Sequence, residues 1–226
     1  MSAYQSETWW DDERIRWYDK AAVQTEFHSL LAKEIEKHIS KEERILELGA
    51  GLGYVSEILM NDGYDLTASD NDENALAAAK KRTGFNDRFI LLDSEKEEIP
   101  QIDTLLMIFF GRIKENGNLE KYLRSAGKII YIISEHRGQG EDSRRFREPD
   151  DTVSFLEKTP GITFSHHHFS AAFNQPLDNE EDATRFLKRM YKDSADKYAK
   201  YIIHDNDGLL LPNEKHTSIF IIRRSS

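Results

Sequence analysis

Short apolar runs alternate with amphipathic stretches from residue 44 onward. The runs are apolar on both faces, which is typical of strands covered by helices on both sides of a parallel sheet. Amphipathic segments at Tyr54–Asn61 and residues 73–82 supply two of the covering helices. The predicted strands are Arg44–Leu48 and residues 65–69, 88–92, 104–109 and 128–133. This strand–helix–strand order predicts a doubly wound α/β fold.

The second half of the chain completes this sheet and adds to it. An alternating run at residues 162–173 and a final apolar run at 217–223 bring the count to seven strands, mostly parallel, with the last strand antiparallel. Residues 178–204 carry apolar side chains at helical spacing, which predicts a helical insertion between strands six and seven. Asp178, with Glu181 three residues later, is the expected start of that helix.

Alternate glycines follow the first strand, at Gly49, Gly51 and Gly53, and a helix comes directly after them. Glycines at such a turn let the backbone approach a ligand, and the helix N-terminus offers free N–H groups. A dinucleotide fingerprint has its third glycine at the position that Tyr54 occupies here. The spacing therefore disfavours a nucleotide-dependent oxidoreductase. A purely conformational role for these glycines is the alternative.

The stretch from Glu47 to Gly53 reads Glu-x-Gly-x-Gly-x-Gly, which resembles the first motif of class I S-adenosylmethionine-dependent methyltransferases. The resemblance implies that Glu47 fixes the loop and faces the methionine end of the cofactor. It also implies that Gly49, Ala50, Gly51 and Gly53 line the same part of the ligand. The expected cofactor is S-adenosylmethionine, and the expected product is S-adenosylhomocysteine.

Acidic residues at the ends of the second and third predicted strands also fit this resemblance. Asp70, followed by Asn71, ends the second strand, where an acidic residue binds ribose hydroxyls in dinucleotide folds as well. The resemblance implies that Asp93, followed by Ser94, contacts the adenine amino group. Phe109 is expected to line the methionine end, although packing in the core explains it equally well. Asp70 and Asp93 have a second interpretation as helix caps.

His136 follows the fifth predicted strand, at the edge of the sheet where ligands bind in this fold. Imidazole titrates near neutrality, so His136 is the candidate base for an acceptor that must lose a proton. A surface histidine is the alternative. The segment from Ile108 to Gly111 lacks the Asp/Asn-Pro-Pro-Tyr/Phe motif of nucleobase amino-methyltransferases, which argues against an exocyclic amine of a base as acceptor.

His166 and His168 share one face of a predicted strand, because alternate side chains point the same way. The sequence offers no third ligand near them, so we expect an ordinary strand and no metal site. The chain contains no cysteine, which excludes thiolate metal sites, iron–sulfur clusters and a catalytic thiol.

One domain is expected over residues 1–226, because the chain has no internal repeat and no linker rich in Gly, Pro or Ser. Within it, residues 1–40 are a helical lead-in or lid, and residues 41–134 are the cofactor-binding half. Residues 135–226 form the substrate-side half, including the insertion at 178–204. The net charge of −10 disfavours long nucleic acid as a partner. No membrane span and no signal peptide are predicted, so we expect a cytoplasmic protein.

Aromatic residues crowd the N-terminal region at Trp9, Trp10, Trp17 and Tyr18. Together with the insertion, they are expected to enclose a small-molecule acceptor, since the shared sheet supplies only the cofactor half of a site. A homodimer interface would use the same residues. The expected function is methyl transfer to an O or N nucleophile of a small molecule. A protein methyltransferase and a non-catalytic cofactor-binding regulator are the alternatives.

Overall fold

A seven-stranded sheet forms the centre of the computed structural model, which describes residues 9–115, 117–137, 144–145, 147–205 and 208–225. Its strands are β1 (Arg44–Leu48), β2 (Asp65–Asp70), β3 (Phe89–Leu91), β4 (Ile102–Ile108), β5 (Ala126–Ser134), β8 (Ile162–Ala172) and β12 (Glu214–Arg224). They lie in the order β3-β2-β1-β4-β5-β12-β8. Strands β1 to β5 pair in parallel, and β12 runs antiparallel to both β5 and β8. The predicted fold class, with an antiparallel last strand, is confirmed.

Helices cover both faces of this sheet, as the doubly apolar strands require. One face packs against helices near the N-terminus, through side chains such as Leu31, Leu59 and Leu76. The other face packs against Leu119 and Leu156. These helices are α1 (Asp12–Gln24), α2 (Phe27–Glu36), α3 (Tyr54–Asn61), α4 (Glu73–Thr83), α5 (Asn118–Ser125) and α6 (Glu148–Glu157). Residues 1–8 of the predicted lead-in lie outside the described residues.

The insertion between β8 and β12 is helical, as predicted, but it also contains three short strands that form a sheet of their own. A separate apolar core holds it together and includes Trp17 of α1 beside Phe186 and Leu211. Its elements are β9 (Gln175–Leu177), α7 (Glu180–Tyr191), α8 (Ala195–Ala199), β10 (Ile203–Asp205) and β11 (Gly208–Leu211). Between β5 and α6, two further strands, β6 (His136–Arg137) and β7 (Arg144–Arg145), pair in a small antiparallel ribbon.

The helical part of the insertion is shorter than the predicted range of residues 178–204, since it begins at Glu180 and ends at Ala199. The N-cap of α7 is Asn179, whose Oδ1 accepts a hydrogen bond of 2.9 Å from the Asp182 amide. The Asp178 side chain forms ion pairs with Arg16 and Lys20 instead. The helix ends before Lys192, which has a φ of 49° that a continuing helix does not allow. Within the described part of the chain, no helix combines the length and the apolar character that a bilayer span requires.

Candidate active site

The glycine loop between β1 and α3 turns through left-handed backbone conformations. Gly49 has a φ of 69° and Gly53 a φ of 68°, which a side chain disfavours. A Cβ at Gly49 would also overlap the ring of Phe110, and one at Gly53 would overlap the ring of Phe89. The sequence therefore needs glycine here for two reasons, backbone conformation and close packing, and the loop has one defined shape.

Asp70 holds this loop in place from the end of β2. Its Oδ2 accepts a hydrogen bond of 2.7 Å from the Gly51 amide, and its Oδ1 accepts one of 2.9 Å from the Asp72 amide. Burial raises the pKa of Asp70, although these backbone bonds act to lower it. Each carboxylate oxygen has two acceptor sites, so both oxygens retain capacity for a ligand hydroxyl.

Glu47 lies at the end of β1 with its carboxyl group buried below the loop. Burial raises its pKa to about 7; a hydrogen bond from the Ser56 hydroxyl opposes this rise, and the negative charge of Asp70 adds to it. Two buried carboxyl groups therefore flank the same glycine loop. Such a loop favours a ligand that carries positive charge and hydroxyl groups, and it repels a pyrophosphate.

A cavity of about 680 Å³ opens at the carboxyl ends of the parallel strands, above the glycine loop. This volume is within the range of roughly 300 to 1,000 Å³ that is usual for small-molecule sites. Ser134 at the end of β5 and Phe173 after β8 line its far side. Eight of the predicted cofactor residues line it together, namely Glu47, Gly49, Ala50, Gly51, Gly53, Asp70, Asn71 and Phe109.

Three predicted site residues do not line this cavity. Asp93 pairs with Lys96 at 2.6 Å, and the side-chain hydrogen bond from Lys96 lowers its pKa. Ser94 is buried, and its hydroxyl has no hydrogen-bond partner among the described residues. His136 lies in β6 with its ring centroid 4.5 Å from that of His216. The roles assigned to these three residues stay predictions.

Trp10 covers the glycine loop from the N-terminal side. Its amide donates a hydrogen bond of 3.2 Å to Asp72 Oδ2, and its carbonyl accepts one of 3.1 Å from the Asn74 amide group. A Cβ added at Gly51 would lie 3.2 Å from Cζ2 of the Trp10 ring. The N-terminal segment is thus fixed over the site by residues that follow β2, a connection that the sequence pattern does not reveal.

Helix α1 is also attached to the insertion, through the buried carboxylate of Asp182. Burial acts to raise the pKa of Asp182, but hydrogen bonds from Arg16, the Asp178 amide and the Trp17 indole lower it to about 2. The indole nitrogen lies 3.0 Å from Asp182 Oδ1. The two predicted enclosing elements therefore meet above the cavity. Both contribute to its lining, with Trp10, Trp17 and Tyr18 from one and Phe186, Met190 and Tyr191 from the other.

Lys215 lines the same cavity and was not identified from the sequence. Its ammonium nitrogen lies 4.0 Å from the ring centroid of Phe173, 4.9 Å from that of Phe27, 5.0 Å from that of Phe109 and 5.6 Å from that of Tyr18. Burial lowers its pKa to about 8. The four rings come from four separate segments, so no local sequence signal could have indicated this arrangement.

His28 is a second cavity residue that sequence reasoning missed. Its Nε2 lies 2.9 Å from the Tyr18 hydroxyl, and its ring stacks on Tyr54 with centroids 5.0 Å apart. Burial, followed by the charges of Lys215 and Arg82, lowers its pKa to about 3. The imidazole is therefore neutral at physiological pH, and it is too weakly basic to take up an acceptor proton.

The third ligand that the sequence did not offer for His166 and His168 is present in the structure. Glu135, which follows β5, lies beside both rings, and one ligand atom from each of the three residues falls within 4.8 Å of the others. His168 Nδ1 is hydrogen-bonded to Glu135 Oε1. Glu135 was not identified from the sequence because it lies far from the two histidines along the chain and meets them only in the folded sheet.

No protein-family model matches the chain. Protein 1320 of Thermoplasma acidophilum is 15% identical, with a TM-score of 0.56 over 95% of this chain and 97% of its own. A TehB-like S-adenosylmethionine-dependent methyltransferase from Corynebacterium glutamicum is 15% identical, with a TM-score of 0.54 over 94% of this chain and 96% of its own. A precorrin-6y C5,15-methyltransferase from Geobacter metallireducens is 13% identical, with a TM-score of 0.51 over 88% of this chain and 87% of its own.

At sequence identities of 13 to 15%, these TM-scores show a likeness of fold alone. The chain has the Rossmann-like methyltransferase fold, and the resemblance to class I methyltransferases inferred from residues 47–53 is confirmed at that level. The seven-stranded order with an antiparallel β12 is part of this likeness.

Proposed function

We propose that the protein transfers a methyl group from S-adenosylmethionine to an O or N nucleophile of a small molecule. The observation that carries this proposal is the pair of buried carboxyl groups, Glu47 and Asp70, on either side of the glycine loop. A cationic cofactor with ribose hydroxyls suits that environment, whereas the pyrophosphate of a dinucleotide does not. The solved methyltransferases of similar fold support the same conclusion.

The residues that would hold the cofactor follow from the geometry of the loop. Asp70 retains acceptor capacity for ribose hydroxyls, and Glu47 would face the positively charged methionine end. Gly49 and Gly51 line the cavity without side chains, so a ligand would meet the backbone there directly. When bound, S-adenosylmethionine supplies a methyl group on a positively charged sulfur, which an O or N lone pair of the acceptor displaces directly.

The protein's part in such a reaction is to align the acceptor and to exclude water. Trp10 and side chains of α1 and α7 line the cavity, where they can shield the reacting end from solvent. Phe109 and Phe173 add apolar surface to the lining of this cavity near the strand ends. The enclosure also favours a small acceptor, because a folded protein substrate would need an open groove.

Calorimetry tests the cofactor directly. We expect S-adenosylmethionine and S-adenosylhomocysteine to bind and NADH not to bind. Asp70→Ala should weaken cofactor binding by about 1 to 3 kcal/mol, as hydrogen bonds to a charged group usually contribute. Binding of NADH alone would refute the proposal.

Turnover separates the alternatives that share the cofactor. The chain should transfer labelled methyl groups to compounds in a small-molecule extract. Labelling of protein alone would identify a protein methyltransferase, and cofactor binding without any transfer would identify a regulator. The assignments of a homodimer and of a cytoplasmic location stay predictions.

A further inference from the structure

We propose that Lys215 binds a carboxylate carried by an aromatic acceptor. This inference rests on the proposed function and names the chemical class of its acceptor. The side chain faces the cavity, and among the described residues its ammonium group has neither a hydrogen-bond acceptor nor an ion-pair partner. Buried charges are normally paired, so an unpaired ammonium in a ligand cavity indicates that the ligand brings the counter-charge.

The rings around Lys215 define the rest of this acceptor. Phe27, Phe109, Phe173 and Tyr18 surround the ammonium group at 4.0 to 5.6 Å, and their faces partly replace the water that it lost. The same rings offer flat apolar surface to a ligand. A planar aromatic body with an acidic group at one end satisfies both features.

The charge of the cavity supports an anionic acceptor. A bound S-adenosylmethionine would bring a positive sulfur into the cavity that Lys215 already lines. Glu47 and Asp70 offset part of this charge at the glycine loop, but neither forms an ion pair with Lys215. An acceptor carboxylate would supply a counter-charge at Lys215 itself, which a neutral acceptor does not.

Benzoate and benzyl alcohol are the matched probes, titrated by calorimetry into the chain saturated with S-adenosylhomocysteine. Lys215→Met should weaken benzoate binding by about tenfold or more, while Lys215→Arg should retain most of it, because only the latter keeps a charge for the carboxylate. Benzyl alcohol should bind all three chains alike. Melting temperatures of the two variants check that each is folded.

Several results would overturn the assignment. One is that native chain fails to bind benzoate at millimolar concentration, or that Lys215→Met binds it as well as the native chain does. Another is that Lys215→Met weakens the binding of S-adenosylhomocysteine but not that of 5′-methylthioadenosine, which lacks the carboxylate. Lys215 would then hold the carboxylate of the cofactor. If S-adenosylhomocysteine does not bind but benzoate still depends on Lys215, the proposed function fails and the carboxylate site remains.

Independently, the geometry points to a divalent transition-metal site at Glu135, His166 and His168. Two imidazoles and a carboxylate form a ligand set that suits zinc and its neighbours, and three protein ligands leave a coordination position open. The site is on the face of β8 opposite to the cavity helices, since His166 stacks on Phe220 with centroids 4.4 Å apart, while Phe169 packs toward the other side.

The surroundings of the three residues fit this role. Ser218 Oγ donates a hydrogen bond of 2.5 Å to Glu135 Oε1 and lies 3.1 Å from His166 Nε2, so it orients two of the ligands. Bonds of about 2.1 Å in tetrahedral geometry need ligand atoms roughly 3.4 Å apart. The His168 side chain is 59% exposed, so its ring has room to turn toward the other two ligands.

Titration with Co²⁺ tests this site, because a cobalt centre with nitrogen and oxygen ligands absorbs visible light. We expect one Co²⁺ per chain, displaced by Zn²⁺. His168→Ala and Glu135→Gln should weaken binding by about tenfold or more, the effect usual for loss of a ligand or its support. His204→Ala is the matched control, since that side chain is 79% exposed and belongs to the insertion. Failure of native chain to bind Co²⁺, or equal binding by His168→Ala and His204→Ala, would overturn the proposal.

Discussion

The carboxyl group of Glu47 is buried at the end of β1, and burial raises its pKa to about 7. In the unfolded chain this carboxyl titrates near 4.5. Between pH 4.5 and pH 7 the folded protein therefore keeps Glu47 protonated, whereas the unfolded chain has released that proton. Stability from this group is fully present below pH 4.5 and decreases as the pH rises toward 7.

We predict that Glu47→Gln equals the native chain in stability at pH 4 and exceeds it at pH 8 by about 3 kcal/mol, since each pKa unit corresponds to about 1.4 kcal/mol. Urea unfolding at both pH values measures this difference. The same variant should bind S-adenosylmethionine more weakly, because it lacks the charge that would face the sulfonium end. A variant that is less stable at pH 8 would contradict the raised pKa.

Phe109 is a residue with a strained backbone at the end of β4. Its φ of 54° lies in the left-handed region, where a side chain costs about 1 to 2 kcal/mol. Its amide donates a hydrogen bond of 2.8 Å to the Ile132 carbonyl, which fixes this conformation. Because the ring then faces Lys215 and lies over Phe27, the strain serves to place an aromatic face in the cavity.

A matched pair of variants tests this strain. Phe109→Gly and Phe109→Ala both remove the ring, but only glycine adopts the native φ freely. We predict that the glycine variant is more stable than the alanine variant by about 1 kcal/mol, measured by urea unfolding. Equal stability would mean that residue 109 relaxes to another backbone conformation when the ring is removed.

At the scale of elements, the buried acid Asp182 joins α1 to α7, beside exposed ion pairs of Arg185 and Arg189 with Glu13. Asp182 accepts hydrogen bonds from Arg16, Trp17 and the Asp178 amide, and Arg185 lies 3.3 Å away. The resulting pKa of about 2 is below the value of 3.8 for an unperturbed aspartate. The stability that ionised Asp182 contributes to the fold is present above pH 4 and is lost as the pH falls toward 2.

We predict that Asp182→Asn lowers the free energy of unfolding by about 2 kcal/mol at pH 7, as expected when hydrogen bonds to a charged group are weakened. The difference from the native chain should shrink as the pH falls from 4 to 2. Thermal unfolding monitored by circular dichroism over this range measures it. Glu181→Gln is the control, because that side chain is 82% exposed and pairs only within α7. A loss of equal size in the control would assign the effect to the helix itself.

For the molecule as a whole, the sequence predicted the parts that local patterns determine. The doubly apolar strands and the loop from Glu47 to Gly53 follow from spacing along the chain, and they were found as predicted. The small sheet of the insertion was missed because strands of three or four residues give too little periodicity. Lys215 and the link of Trp10 to Asp72 were missed because they depend on contacts between distant segments.

Because both enclosing elements line one cavity, a ligand there should tighten the whole enclosure. We predict that saturating S-adenosylhomocysteine slows backbone amide exchange in α1 and α7, as well as in residues 49–53. Hydrogen–deuterium exchange with mass spectrometry measures this, with NADH as the control ligand. Protection confined to residues 49–53 and 70–72 would mean that α1 and α7 do not close on the cofactor.

The partners of Trp17 lie far along the chain, and this has a consequence for biosynthesis. The Trp17 indole bonds to Asp182, 165 residues later, so the Trp17 side of α1 has no partner until the insertion exists, although Ala21 and Ala22 can already pack with α2 and α3. At translation rates of about 5 to 20 residues per second, that wait is roughly 10 to 30 s. The contact between α1 and α7 therefore forms long after α1 has left the ribosome. During this interval Trp17 is exposed to chaperones, and the cavity lacks the lining that Phe186, Met190 and Tyr191 supply.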